Sequence, residues 1–228
     1  MTESTSSLAT APGVLRALLA ALNPVIPFVI LRNYEGLPES WGNDVDILIN
    51  ASDLPVVRKI TLELLAGSPR TAGATAKERF NFWSISLPCE DRTLVIDFTT
   101  AMTRLWFVYA NTNVIFEFRR LRGGLFAVPD YFHELLLIAA KELFAYGYIR
   151  EKYHKRLRGH DEMDSLRSAS NLFMPCLTNA GCRLIASALV DPTVTGRPTV
   201  SIAAILRPRA MLRWMRLRRS GCWSLDTQ

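Results

Sequence analysis

Between residues 12 and 22, apolar side chains recur at Val14, Leu15, Leu18, Leu19 and Leu22, the three-and-four spacing of one helical face. Pro12 is tolerated in a first turn, so the spacing predicts a helix. Residues 28–31 (FVIL) form a short apolar run between Pro27 and a polar loop over 32–43, which predicts a buried strand, and DVDILI at 44–49 predicts a second. Ser52 is placed to cap a helix over 54–65 that Gly67 and Pro69 stop. After a Gly/Ala/Thr loop, residues 80–87 and 93–98 read as two further strands joined by a turn over 88–92. The order α-β-β-α-β-β describes a small mixed sheet with helices on it. Residues 114–118 and 125–128 then suggest a hairpin around Gly123-Gly124, and from Pro129 the period is helical, over 131–146, 148–157, 161–172, 182–189 and 202–219. The expected class is α+β, with a mixed α/β domain at 12–126, an all-α half at 127–201 and a basic C-terminal helix or tail at 202–228. Residues 1–11, rich in Ser, Thr and Ala, are expected to fray.

Charge changes this picture only at one end. The 228 residues carry 27 Lys and Arg against 21 Asp and Glu, a formal charge of +6, but residues 207–219 hold six arginines and no acid. The remainder is neutral, which argues against a surface built throughout for nucleic acid. In the tail, Arg209, Arg213 and Arg216 share one helical side and Met211, Trp214 and Met215 the other, a pattern suited to peripheral contact with an anionic membrane or to docking on a partner. The N-terminal residues lack a basic n-region and no apolar run reaches the ~20 residues that span a bilayer, so a cytoplasmic location is expected. Cys89, Cys176, Cys182 and Cys222 form no C-x-x-C pair, and with His133, His154 and His160 scattered they offer no zinc spacing.

The sharpest local feature is the strand Asp44-Val45-Asp46-Ile47-Leu48-Ile49. Alternation sends Asp44 and Asp46 to one face while Val45, Ile47 and Ile49 point to the other. Two acids on one face repel, and they are tolerated in water or with a cation between them. A pair at this spacing suits hard divalent ions, Mg²⁺ or Mn²⁺, although a solvated strand end also carries D-x-D. Asp97 adds weight, because it follows the apolar run Leu94-Val-Ile96 on a predicted strand and shares a face with Thr93, Val95 and Thr99. An isolated acid there is costly unless paired or metal-bound.

The stretch from Val29-Ile-Leu-Arg32-Asn-Tyr-Glu-Gly-Leu-Pro38 through Asp44-Val-Asp46, followed by a helix and a strand ending Val95-Ile-Asp97-Phe98, resembles the nucleotidyltransferase superfamily, whose fold is that of DNA polymerase beta. More narrowly it resembles nucleotidyltransferase-like domains of bacterial surface-polysaccharide gene clusters, often fused to a thymidylate-kinase-like domain. The motif resemblance spans residues 15–100, with looser similarity at Tyr148-Ile-Arg-Glu-Lys-Tyr153 and Leu206-Arg-Pro-Arg209. It implies two-metal transfer of a nucleotidyl group from a nucleoside triphosphate to a hydroxyl acceptor, with Asp44, Asp46 and Asp97 as metal-binding and catalytic carboxylates. It also implies a kinase-like or glycan-assembly partner, although no G-x-x-x-x-G-K-[ST] phosphate loop occurs in the chain.

One departure matters. Where the superfamily places Gly-Ser at the end of its first strand, this chain has Leu31-Arg32-Asn33. Arg32 has the planar donor fork to contact a phosphate, and equally to form a salt bridge with Asp44 or Asp46 in a domain without catalysis. Asn33 and Asn43 flank the loop and join Arg32 in the expected nucleotide-binding set. The resemblance adds Lys152 and Arg156, four residues apart in a basic segment, as cations for the phosphates; the alternative is a solvated basic helix face. Lys141, within an apolar stretch, is a second candidate cation. Three functions remain open at this point: a nucleotidyltransferase; a module of that fold which binds a nucleotide or a partner without catalysis; and a metal-dependent glycosyltransferase, which normally has more chain before its metal motif.

Overall fold

The structure, a computed structural model, describes residues 10–66, 73–88, 93–104, 107–201 and 223–224. The expectations for residues 1–9, for the turn over 89–92, for Cys89 and Cys222, and for the basic stretch 202–219 lie outside the described residues. The fold is mixed α+β, and the described residues fall into two compact units that alternate along the sequence: those within 1–101, 120–128 and 212–228 form one, and those within 102–119 and 129–211 form the other. The cut expected near residue 126 lies close to one crossing at 128/129, whereas residues 102–119 belong to the second unit.

In the first unit, helix α1 (Ala11–Leu22) starts where the Thr10 hydroxyl accepts the Gly13 amide at 3.2 Å, and it buries Val14, Leu15, Leu18, Leu19 and Leu22, the stripe read from the sequence. Strands β1 (Phe28–Ile30) and β2 (Val45–Ile49) pair antiparallel, Ile30 opposite Ile47. The expected Ser52 cap is not formed: Ser52 lies inside a 3₁₀ turn (Ala51–Asp53), donating to Asp53 Oδ1 at 3.2 Å, and helix α2 (Leu54–Ala66) follows without a break. A strand that the sequence reading took for loop, β3 (Thr75–Arg79), precedes β4 (Phe82–Pro88) and β5 (Thr93–Thr99) in an antiparallel meander. Its TAKER sequence is too polar to announce a strand, and cross-strand pairing with β4 supplies what propensity does not.

The hairpin over 114–118 and 125–128 is corrected. Residues Thr112–Glu117 are a helix, α3, in the second unit, capped by Asn111, whose side chain accepts the Asn113 amide at 3.1 Å. The hairpin is β8 (Arg120–Arg122) with β9 (Phe126–Val128), turning on Gly123 and Gly124 with φ of 57° and 68°. The sheet order is β3-β4-β5-β2-β1-β9-β8, with the two-residue strand β10 (Trp223–Ser224) beyond β3. Within it β2 and β5 run parallel, as do β1 and β9. One face buries Ile30, Ile47, Ile49, Ile85, Ile96 and Phe98 against α1 and α2, and Trp83 stacks on Phe98 with ring centroids 5.4 Å apart.

The second unit contains a short hairpin, β6 (Thr103–Arg104) with β7 (Phe107–Val108), and, after α3, helix α4 (Tyr131–Tyr146). Asp130 caps α4 and Gly147 ends it at φ 78°, a conformation that favours glycine. The single helix expected over 148–157 is instead a 3₁₀ turn (Glu151–Tyr153) running into a four-residue helix, α5 (His154–Leu157). Helices α6 (Glu162–Phe173), capped by Asp161, and α7 (Asn179–Val190), capped by Thr178, pack together around Leu172, Phe173, Ile185 and Leu189. Among the described residues, no helix is long and apolar enough to cross a membrane.

Candidate metal-binding site

Register brings the acids together. In the parallel pair of β2 and β5, Asp46 lies directly opposite Asp97, while Val45 opposite Ile96 turns to the core. Asp44 immediately precedes β2 and points the same way as Asp46. One carboxylate oxygen from each of Asp44, Asp46 and Asp97 lies within 4.8 Å of the others. Asp44 and Asp46 keep side-chain exposures of 28% and 21%, so the cluster is open to a ligand.

Beyond β1 the Leu31 amide still donates to the Asp46 carbonyl, at 2.9 Å, which holds the strand end against the acids. Arg32 comes next, and Asn33, at φ 55°, takes the chain out of the sheet. The guanidinium is thereby set over both carboxylates: its Nε–H donates to Asp46 Oδ2 and its Nη2 approaches Asp44 Oδ2 at 3.4 Å. The salt bridge envisaged for Arg32 is therefore formed. Asn33 and Asn43 are exposed in the loop between the strands.

Asp97 sits against its neighbours' charges and Ser84. Burial pushes its carboxyl from 3.8 up to about 6; Asp46 and Asp44 push the same way, whereas a hydrogen bond from Ser84 and the charge of Arg32 oppose them. Ser84, only 5% exposed and directly opposite Asp97 on β4, donates to Asp97 Oδ1 at 2.6 Å. Sequence reasoning missed this residue. The signal was present, as a small hydroxyl inside Phe82-Trp-Ser-Ile at the alternation that faces away from the core, but it gains meaning only from the register.

The second unit puts Arg156 to another use. Glu134 and Glu142 of α4 are each about 1% exposed, and Arg156 pairs with Glu134 while Arg150 holds Glu142 through two bonds, Nε to Oε2 at 2.6 Å and Nη2 to Oε1 at 2.7 Å. The expectation that Arg156 shares a continuous helical face with Lys152 is thus corrected: Lys152 lies in the 3₁₀ turn and Arg156 in the short helix α5 after it, and Arg156 is drawn to a buried carboxylate. Lys152 is exposed, with its ammonium 4.9 Å from the Tyr153 ring centroid, and Lys141 is exposed on α4. His133, with Asp130, and His154, against the Ile149 carbonyl, belong to local contacts. Cys176 and Cys182 are free thiols whose pKa burial raises.

Three clustered carboxylates are the oxygen donors that hard divalent cations prefer, and their convergence can hold a metal ion. Comparison with family models, with curated proteins and with solved structures finds no match for the chain.

Proposed function

We propose that the first unit is a nucleotidyltransferase-type domain, followed by a helical half, and that it binds a nucleoside triphosphate through Mg²⁺ or Mn²⁺ and transfers the nucleotidyl group to a hydroxyl acceptor, in line with a role in bacterial surface-polysaccharide metabolism. The observation that carries the reading is the meeting of Asp44, Asp46 and Asp97 on the face of the sheet opposite its core. The divalent ion, when bound, neutralises the phosphate charge and aligns attacking and leaving oxygens. The acceptor oxygen forms its bond to the α-phosphorus, the bond to the bridging oxygen breaks, and pyrophosphate leaves. Asp97, its carboxyl pushed up to about 6 by burial, is suited to take the acceptor's proton. Ser84 fixes the Asp97 oxygen, and Arg32 is the donor fork placed to pass from the acids to a phosphate. Asn33 and Asn43 flank the entry.

A second reading has its own observation. Arg32 already bridges Asp44 and Asp46, and a guanidinium in that position satisfies the acids with no metal. The domain would then be a catalytically silent module that serves a kinase-like or glycan-assembly partner. Calorimetry with Mg²⁺ and each of four nucleoside triphosphates separates the two. Binding that disappears in Asp44→Asn/Asp46→Asn supports the enzyme, and absence of binding by the wild-type protein leaves the silent module.

A further inference from the structure

Lys77, on the strand that the sequence did not reveal, lies in the same cross-strand row as the acids. Lys77 is opposite Ser84, Ser84 opposite Asp97, and Asp97 opposite Asp46, so one row crosses four neighbouring strands. Side chains directly opposite each other project from the same face. The alternate residues of β3 confirm the orientation: Ala76 is buried, and Glu78 pairs with Arg58 of α2 at 2.7 Å on the core side, which leaves Lys77 and Arg79 on the face of the acids. Arg79, opposite Phe82, which is opposite Thr99, sits one row further on. Both cations are exposed, and among the described residues neither forms an ion pair.

Two cations that are unpaired among the described residues, beside three acids, need explaining, because opposite charges on one face would neutralise each other at contact. Neither cation makes that contact among the described residues. Strands are ~4.8 Å apart, so the Lys77 backbone stands about 10 Å from that of Asp97, with only the small Ser84 between. The gap has a metal-binding edge and a cationic edge, and a short run of phosphate groups fits both. We infer that Lys77 and Arg79 form a subsite for a second phosphate of the substrate, so that the ligand is held by its metal-bound phosphate at Asp44, Asp46 and Asp97 and by a further anionic phosphate over Ser84 and β3. This inference rests on the metal-binding reading above. The phosphate has two possible sources, the outer phosphates of a nucleoside triphosphate or a phosphorylated acceptor.

The test is calorimetry on the wild-type chain, on Lys77→Gln/Arg79→Gln and on Asp97→Asn, first with Mn²⁺ alone and then with tripolyphosphate or orthophosphate added to Mn²⁺-loaded protein. Mn²⁺ binds the wild type and the double cation variant equally and is lost in Asp97→Asn. Tripolyphosphate binds the cation variant at least tenfold more weakly than the wild type. If orthophosphate is unaffected, the subsite takes the triphosphate chain; if orthophosphate loses as much, it takes the phosphate of a separate acceptor. Both substituted side chains are exposed, and Lys77→Arg/Arg79→Lys, which keeps the charge, restores binding. Equal phosphate affinities in wild type and cation variant overturn the subsite while leaving the metal site standing. A wild-type chain that takes up no Mn²⁺ overturns both, and that failure appears in the first titration, before any phosphate is present.

Discussion

Replacing Asp97 by Asn is expected to stabilise the metal-free protein while it removes metal binding. In the folded state, burial and the charges of Asp46 and Asp44 raise the carboxyl from 3.8 to about 6, against the pull of Ser84 and Arg32. At 1.36 kcal/mol per tenfold change in proton affinity, that makes the ionised form about 3 kcal/mol less favourable in the folded protein. The side chain is only partly buried, and water screening brings a realistic figure to ~1–2 kcal/mol. The folded state holds this proton more tightly than the unfolded chain, so stability is highest below pH 3.8 and declines as pH rises to about 6, above which the penalty is constant. Asn carries no such penalty and its carbonyl oxygen still accepts the Ser84 hydroxyl. The variant should therefore unfold at a higher temperature than wild type at pH 7.5, by ~2–8 °C for a chain of this size, and show no advantage near pH 4. Thermal melts in a chelating buffer at the two pH values measure this directly. Saturating Mn²⁺ should reverse the order, because a ligand at 100 times its Kd adds ~2.7 kcal/mol to wild type alone. Equal stability of the two proteins at pH 7.5, or the same gain at both pH values, would refute an electrostatic origin.

Four further outcomes follow from the same geometry. Metal affinity should fall up to tenfold per pH unit below about 6, as the ligand Asp97 is protonated, read by titration with Mn²⁺ across pH 5–7.5. Arg32→Gln should strengthen binding of Mn²⁺ alone by roughly tenfold, since it releases Asp44 and Asp46 from a cation, while weakening binding of metal–triphosphate; a uniform loss in both would mean that Arg32 only holds the acids in place. Arg150→Met should cost about 3 kcal/mol in urea denaturation, because it leaves Glu142 buried and uncompensated, and replacing both partners by apolar residues should recover most of that loss. Leu19→Ala, a fully buried position of α1, should cost ~2–5 kcal/mol with metal binding unchanged.

The sequence by itself carried the amphipathic helices and the apolar strands, because burial on one side imposes a period that can be read residue by residue. Helix α4 has the expected limits, 131–146, since its cap Asp130 and its terminator Gly147 act within a turn of the ends they set. Local signals also placed Asp44 and Asp46 on one strand face and gave Asp97 a strand of its own. Only the tertiary structure decided that Asp97 stands opposite Asp46 rather than one residue out of step, which would have turned it into the core. Register is a property of two strands, and neither strand's sequence contains it. For the same reason β3 and its lysine stayed hidden, since a polar strand is defined by the neighbours it pairs with. Arg156 shows the converse: its charge looked available for phosphate until folding brought the buried Glu134 to it. Arg32 could be read either as a phosphate ligand or as a partner of the acids. The path of β1 and the bend at Asn33 placed it over Asp44 and Asp46, and whether metal can displace it there is a balance of charge and solvation that the titrations above measure.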